Sequence, residues 1–214
     1  GHDIMGREVR PPDMEEIVNA ITELKGHVDA YAVAGAMSIE NPAHEQVVEK
    51  AVELIDPKPV FCSYQISRRA GIKERAATAS LHARLAPVIT DFVDHLYRFT
   101  NDRRISAEMM MIRGDAKPVE LAQAASMAAN TFASGPAATA WFGAISSDEG
   151  RALIVDVGGT TTDITLVENR APVISSAGSL IGKWQTHIDA VEMDTAGIGG
   201  DSLVKIDRSG NIVL

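Results

Sequence analysis

Residues 151 to 167 read Arg-Ala-Leu-Ile-Val-Asp-Val-Gly-Gly-Thr-Thr-Thr-Asp-Ile-Thr-Leu-Val, and this stretch predicts the fold more directly than any other. Two runs rich in β-branched residues flank a Gly-Gly-Thr turn, which is the pattern of a β-hairpin. Gly158 and Gly159 carry no side chains, so a phosphate can approach the backbone N–H groups of the turn closely. Hydroxyl donors for the same phosphate follow directly, on Thr160, Thr161 and Thr162.

A carboxylate stands at each mouth of this turn, Asp156 before it and Asp163 after it. Because like charges repel, these carboxylates are not there to attract phosphate, and they predict instead a hydrated Mg²⁺ or an oriented water beside the phosphates. Hydrogen-bond donors for phosphate, placed next to a metal site, favour ATP as the ligand. The Gly-Gly pair by itself leaves an ordinary hairpin turn open as the alternative.

The string from Asp156 to Asp163 resembles the phosphate loop of the actin, sugar kinase and heat-shock ATPase superfamily. It is most similar to the loop of the hydantoinase A and 5-oxoprolinase family. Four more segments resemble that family, in the family's order along the chain: Ala32–Glu45, Glu74–Ala79, Ser134–Ala138 and Asp194–Ser202.

The resemblance implies an α/β fold with a ribonuclease H-like (actin-like ATPase) core, of which this chain holds a part. It implies an enzyme that uses ATP and Mg²⁺ to phosphorylate a carbonyl oxygen and so open cyclic amides such as hydantoin or 5-oxoproline. Asp156 and Asp163 would then be catalytic and metal-binding. The implied ATP-binding residues are those of the hairpin turn and of a second glycine-rich loop: Gly158, Gly159, Thr160, Thr161, Thr162, Gly197, Gly199 and Gly200.

Two other functions stay open at this stage. Relatives in the family carboxylate ketones, so a subunit of an ATP-dependent ketone carboxylase is the alternative to the opening of cyclic amides. The chain is also compatible with a non-catalytic fragment that binds nucleotide or serves assembly. The expected partners are a small cyclic amide or ketone substrate and a hydantoinase B-like subunit.

The chain is shorter than the family pattern. Family members normally begin with a first Asp-x-Gly-Gly-Thr-x-Thr-Asp strand pair, and they continue for hundreds of residues beyond the second glycine-rich loop. This chain starts at Gly1, stops at Leu214 and carries one such motif. We therefore expect an internal fragment of a larger enzyme, inactive when isolated.

Composition narrows the functional classes. The chain has 214 residues, is 45% hydrophobic and carries a net charge of −9, so it can bury a core but has no basic stripe for nucleic acid or an acidic membrane. Its single cysteine, Cys62, excludes an internal disulfide and is expected in the core. No apolar run reaches the length of about 18 residues typical of a membrane span, and the chain shows no signal peptide. We expect a cytoplasmic location.

Hydrophobic periodicity divides the chain near residue 116. Strands and helices alternate before that point, which predicts a mostly parallel sheet covered by helices. The predicted elements are a helix at 14–25 capped by Asp13, a strand at 30–34, a helix at 43–55, a strand at 60–66, a helix at 73–99 that Pro87 kinks or splits, and a strand at 109–112. Residues 121–133 and 137–144 are predicted helical, and the chain is β-rich after residue 150. The predicted domains are 1–116 and 117–214, the second carrying the hairpin.

Three further positions are candidates for metal or acid chemistry. Asp115 follows the strand predicted at 109–112, at the end where such sheets bind ligands, although Ala116 and Lys117 stand where the family has glycines. His44 is a lone histidine at a helix start, for which a structural role is favoured over a metal. His2 is either a metal ligand of the intact protein or part of a ragged end.

Overall fold

The computed structural model describes residues 1–213 and divides into two compact units. Unit 1 comprises Gly1–Met110, Glu120–Ala129 and Ala177–Ile188. Unit 2 comprises Met111–Val119, Asn130–Ser176 and the described residues from Asp189 onward. Each unit is made of three separate segments of the chain. The domain boundary predicted at residue 116 therefore stays a prediction.

The helices and strands that form unit 1 are largely the predicted ones. Asp13 caps the first helix by accepting hydrogen bonds from the N–H groups of Glu15 and Glu16. The strands β1 and β2 pair in parallel, as the alternating pattern predicted. The elements are α1 (Met14–Leu24), β1 (Tyr31–Val33), α2 (Ala43–Ile55), β2 (Val60–Cys62), α3 (Ser63–Ile66) and α4 (Ile72–Asp102).

Helices α1 and α2 and strand β1 enclose an apolar core in unit 1. Ile21, Tyr31, Ala51 and Val52 are its buried members. Cys62, the last residue of β2, is fully buried, and this burial raises the pKa of its thiol to about 12. Its burial confirms the prediction of a core thiol, and the raised pKa makes this thiol a poor nucleophile at neutral pH.

A buried polar network fixes the rest of unit 1. Arg75 on α4 is 1% exposed, and its guanidinium donates to the carbonyl oxygens of Gly35 and Ala36 and to the hydroxyls of two serines, Ser38 and Ser63. Glu45 on α2, also 1% exposed, accepts from Ser63 Oγ and from the Gly35 N–H, each at 2.7 Å. Ser63 thus links a buried cation to a buried carboxylate.

Three predicted elements of secondary structure were wrong in detail. The strand predicted at 60–66 ends at Cys62, because the Glu45 carboxylate binds the Ser63 hydroxyl and the Tyr64 N–H and holds the next four residues as α3. Of the two alternatives for the helix predicted at 73–99, splitting at Pro87 is wrong, since α4 runs through it, and the kink stays a prediction. The helix predicted at 121–133 forms two 3₁₀-helical stretches, Leu121–Gln123 and Ala125–Thr131, and the second has a kink at Met127, whose backbone is not helical.

The strand predicted at 109–112 forms as β3 (Met110–Ile112), but it joins a different sheet from the one expected. It pairs with β4 (Pro118–Glu120) in a separate two-stranded sheet and does not extend the β1–β2 pair. Alternation along the chain predicts strands, whereas the neighbour of each strand depends on tertiary packing.

Unit 2 is built on one helix and a small antiparallel sheet. The helix α5 (Ser134–Ser146) begins at the Ser-Gly-Pro segment, so that segment is its first turn. In this sheet β6 (Thr162–Glu168) pairs antiparallel with β5 (Arg151–Val157), with β12 (Met193–Ala196) and with β7 (Ala171–Pro172). The strands after α5 are β5 (Arg151–Val157), β6 (Thr162–Glu168), β7 (Ala171–Pro172), β8 (Ile174–Ser175), β9 (Leu180–Ile181), β10 (Trp184–Gln185), β11 (Ala190–Val191), β12 (Met193–Ala196), β13 (Lys205–Ile206) and β14 (Ile212–Val213), of which β9 and β10 lie in unit 1.

Alanines give unit 2 its tight core. Ala137 and Ala140 on α5 pack with Ala116 and with Val191 of β11. Small side chains let the helix approach closely, so Gly143 has no room for a Cβ beside the side chain of Ile154 on β5. Among the described helices, none is long and apolar enough to cross a membrane.

Candidate functional site

The predicted hairpin forms in full and places its two carboxylates face to face. Strands β5 and β6 pair antiparallel with Asp156 directly opposite Asp163. Directly opposite residues point to the same side of a sheet with their Cβ atoms about 5 Å apart. The two carboxylates therefore form one acidic pair at the mouth of the turn.

Each carboxylate of this pair is oriented by a threonine. Thr139 on α5 donates to Asp156 Oδ2 at 2.8 Å, and Thr195 on β12 donates to Asp163 Oδ1 at 2.6 Å. Each carboxylate has a second oxygen, which can act as a ligand for a hard cation such as Mg²⁺. Three separate elements thus hold the acidic pair in a fixed geometry.

The second glycine-rich loop packs directly on the hairpin turn. Strand β12 pairs with β6, so the chain leaves β12 beside the turn. The N–H of Gly200 donates to the Gly158 carbonyl at 2.9 Å, and the N–H of Asp201 donates to the Gly159 carbonyl at 2.8 Å. Thr162 donates its hydroxyl to the Ile198 carbonyl at 2.7 Å. The two loops, far apart in sequence, form one glycine-rich platform.

Gly199 makes this contact between the loops possible. A Cβ at this position would lie 2.7 Å from the carbonyl oxygen of Gly158 and closer still to that of Gly159. Such distances are too short for a real side chain, so any other residue must push the loops apart. At Gly197, by contrast, a Cβ meets no atom within 4 Å.

We expect the substitution Gly199→Ala to lower the free energy of unfolding by about 1–3 kcal/mol, as overpacking does elsewhere. Urea denaturation followed by circular dichroism measures the loss, and Gly197→Ala is the matched control, expected to change the free energy little. Equal stability of the two variants would contradict the packing of the loops described above.

The hairpin turn presents backbone donors to solvent. Gly158, Gly159 and Thr160 are exposed. Within residues 1–213, the N–H groups of Gly159 and Thr160 have no hydrogen-bond acceptor in the protein. Exposed backbone N–H groups in a glycine turn are the kind of donor that binds phosphate oxygens in nucleotide-binding sites.

The charge of the platform is negative. The segments 156–163 and 197–202 contain Asp156, Asp163 and Asp201 and no Lys or Arg. A polyphosphate near three carboxylates is repelled unless a cation lies between them. Any nucleotide bound here therefore needs a divalent metal, and the oxygens of the acidic pair suit Mg²⁺.

The structure thus brings together the hairpin and the second loop. The carboxylate of Asp115, by contrast, is bound by neighbouring cations. Arg113 binds both oxygens of Asp115, and the Lys117 ammonium lies 3.6 Å from one of them. Burial raises the pKa of Asp115, but the hydrogen bonds and the charge of Arg113 outweigh it, so the pKa is lowered overall. These contacts argue against Asp115 as a metal ligand.

Unit 1 contains a cavity that the sequence analysis did not predict. Its volume is about 650 Å³ and its wall is mostly apolar, with Lys73 and Arg84 as its cations. The lining residues are Lys73, Ala76, Ala77, Ser80, Leu81, Arg84, Ile181, Gly182, Trp184 and Thr186. The lining residues on α4 recur at helical spacing, and several of them have small side chains. This row of small side chains along one face of a helix is the sequence signal that could have indicated the cavity.

Two sequence profiles match this chain. The hydantoinase/oxoprolinase profile matches residues 75–214, and the profile of the hydantoinase/oxoprolinase N-terminal region matches residues 1–55. Together they include the hairpin, the second glycine-rich loop, and both Glu45 and Arg75 of the buried network, whereas Ser63 lies between the two matched ranges.

Two characterised relatives are similar over nearly the whole chain. The acetophenone carboxylase gamma subunit of Aromatoleum aromaticum is 28% identical over 97% of this chain, and the caprolactamase subunit alpha of Pseudomonas jessenii is 26% identical over 96% of it. The chain spans 30% of the length of each of these relatives.

Two solved structures share the fold. The nucleotide-free structure of acetone carboxylase superposes over 100% of this chain and 31% of its own, with a TM-score of 0.84 at 19% identity. The ATP-dependent caprolactamase of Pseudomonas jessenii superposes over 95% of this chain and 30% of its own, with a TM-score of 0.72 at 22% identity. The predicted α/β fold class is confirmed.

Proposed function

The chain belongs to the hydantoinase/oxoprolinase family, and from that premise we propose that it is the nucleotide-binding part of an ATP-dependent enzyme that opens cyclic amides. Family membership supports an ATP-dependent amidohydrolase in general terms. The substrate, the metal and the role of each residue belong to the proposal.

One observation carries the proposal: the platform combines exposed backbone donors with a fixed acidic pair. Gly159 and Thr160 offer N–H groups to phosphate oxygens, while Asp156 and Asp163 supply carboxylate oxygens for Mg²⁺. In the second loop, Gly199 lets the loop pack on the hairpin turn, Gly200 donates its N–H to the Gly158 carbonyl, and Gly197 leaves the space around its Cα open. Thr160 and Thr161 add hydroxyls, whereas Thr162 anchors the second loop.

The proposed chemistry follows from what this platform can hold. The carbonyl oxygen of the substrate attacks the terminal phosphorus of ATP, and ADP leaves. Water then adds to the activated carbon, the C–N bond of the ring breaks as the nitrogen takes up a proton, and a second water hydrolyses the resulting acyl phosphate to the free acid and inorganic phosphate. The backbone donors orient the phosphates, and the acidic pair holds the cation that neutralises phosphate charge. Thr139 and Thr195 keep both carboxylates in position.

Isothermal titration calorimetry of Mg-ATP into this chain tests the nucleotide site. We expect one binding event that disappears when EDTA removes the metal, because the platform is acidic and cannot hold bare ATP. The same titration with Asp156→Asn should show weakened binding. Equal binding of ATP with and without Mg²⁺, or an unaffected Asp156→Asn variant, would contradict the proposed site.

The second candidate function is ATP-dependent ketone carboxylation. Its support is specific: one relative is named for acetophenone carboxylation and the other for caprolactam, at nearly equal identity to this chain. Substrate profiling of the complete enzyme separates the two. Release of phosphate from ATP that depends on a lactam or hydantoin supports ring opening, whereas release that depends on a ketone and bicarbonate supports carboxylation. If neither a lactam or hydantoin nor a ketone with bicarbonate causes phosphate release, a non-catalytic role is favoured.

Partner subunits are also part of the proposal. Both relatives are named as subunits, so we propose that this chain works within an assembly and that a hydantoinase B-like subunit is its partner. Copurification of the complete protein with the product of a neighbouring gene tests this. A cytoplasmic location stays a prediction.

A further inference from the structure

A histidine pair meets a carboxylate in unit 1, outside the platform. His44 stands in the first turn of α2, and His2 pairs with Glu8 through an isolated β-bridge. The two imidazole rings lie 3.8 Å apart between centroids, and His44 Nε2 lies 2.7 Å from Glu8 Oε1. One ligand atom from each of the three residues lies within 4.8 Å of the other two.

Hydrogen bonds hold the N-terminal loop against α2. Asn41, which precedes α2, donates its side-chain amide to the Gly6 carbonyl at 2.9 Å. The Asp3 carboxylate accepts from the N–H groups of Met5 and Arg7, each at 2.9 Å, and from the Arg7 guanidinium. The loop is therefore folded on itself and attached to the start of α2, which brings His2 to His44.

The three side chains have the chemistry of a transition-metal site. Two imidazole nitrogens and one carboxylate oxygen form a frequent ligand set of zinc, with a water as the fourth ligand. Ligand atoms around a tetrahedral zinc lie about 3.3 Å apart, a spacing that follows from bond lengths of about 2.0–2.1 Å. The ligand atoms of the cluster lie within 4.8 Å of one another, and His44 Nε2 and Glu8 Oε1 lie 2.7 Å apart, so the distances bracket that spacing. Asp3 is engaged by Arg7, which leaves the fourth position to water.

The site is open to metal from solvent. The side chain of His44 is 18% exposed and that of Glu8 is 52% exposed. His44 is followed by Glu45, whose buried carboxylate anchors α2 in the polar network of unit 1. A metal bound here would therefore attach the N-terminal loop to the turn of α2 that also carries Glu45.

We propose that His2, Glu8 and His44 form a zinc site that fastens the N-terminal loop to α2. The site is separate from the nucleotide proposal and uses none of its residues. It also predicts a structural effect: zinc raises the stability of unit 1, because a metal that binds the folded state shifts the folding equilibrium toward it.

Titration of zinc into the metal-free chain, followed by calorimetry, tests the site, with Co²⁺ absorption spectra reporting tetrahedral coordination. We expect one zinc ion per chain. His44→Gln and Glu8→Gln should each weaken zinc binding at least about tenfold, because each removes a ligand. His27→Gln is the matched control, since His27 is exposed at the end of α1 and far from the cluster in sequence, and it should bind zinc as the unaltered chain does.

Two results would overturn the proposal. The first is zinc affinity unchanged by His44→Gln and Glu8→Gln, which would show that zinc binds elsewhere. The second is the absence of zinc binding to the unaltered chain, which would leave an ordinary polar contact. His2→Gln provides a third variant that leaves α2 intact, so loss of binding in it, with an unchanged circular dichroism spectrum, supports direct ligation and not a folding defect.

Discussion

Asp156→Asn is expected to lower ATP turnover of the complete enzyme by a factor of about 10² or more, the cost of losing one fixed electrostatic contact to a reacting group. Asn keeps the shape of the side chain and can still bond to Thr139, so the acidic pair loses a charge without losing its geometry. The expected cause is weaker binding of the cation that neutralises the phosphates. Steady-state assays across Mg²⁺ concentrations measure this effect as a higher metal requirement.

A change in folding would not explain such a loss. Like charges directly opposite each other on a sheet are destabilising, so removing the charge of Asp156 should leave the chain as stable as before or slightly more stable. Asp194→Asn is the matched control, because Asp194 lies on the same sheet opposite Ile164 and is exposed. Turnover unchanged in Asp156→Asn, or lowered equally in Asp194→Asn, would remove Asp156 from the mechanism.

Arg75→Met is expected to lower the free energy of unfolding of unit 1 by about 3–5 kcal/mol, the range seen when one partner of a buried ionic pair is removed. Methionine fills much of the volume but donates no hydrogen bond. The carbonyl oxygens of Gly35 and Ala36 lose their donor, and the Glu45 carboxylate stays buried with no cation near Ser63. Urea denaturation followed by far-ultraviolet circular dichroism measures the change.

Two comparisons make this result specific. Arg98→Met alters an exposed arginine on the same helix, and surface substitutions usually change stability by no more than about 0.5 kcal/mol. A double variant with Glu45→Gln tests the coupling, since the second substitution removes the charge that Arg75 no longer balances. We expect the double variant to lose less stability than the sum of the two single losses. A loss below about 1 kcal/mol for Arg75→Met would contradict a structural role for the network.

The network also gives a physical meaning to segments that the sequence analysis matched only by family resemblance. Glu45 ends one such segment, and Arg75 lies in another. Both are now seen to carry buried charge within unit 1. The segments around the hairpin have a different role: Thr139 follows the Ser134–Ala138 segment and orients Asp156, and Gly199 lies in the second loop. The segments that resemble the family therefore contain residues of two kinds: those of the buried structural network and those of the candidate site.

Local chemistry explains which elements the sequence predicted well. A helix beginning after Asn41-Pro42 was predicted over residues 43–55 and forms as α2, because a turn and a proline restrict the chain just before it. The hairpin was predicted because β-branched runs flank a glycine turn. The errors arose where distant groups override local preference: Glu45 turns residues 63–66 into α3, although those residues read as a strand.

By itself, the sequence determined the α/β class, the hairpin with its two carboxylates and the helices α1 and α2, since these depend on preferences within a few residues of one another. Tertiary structure alone decided that Gly199 packs on the hairpin turn, that Asp115 binds Arg113, and that His2 and Glu8 meet His44. The physical reason is that each of these contacts depends on how the folded backbone places the two residues in space. The types of the residues do not show where the backbone will place them.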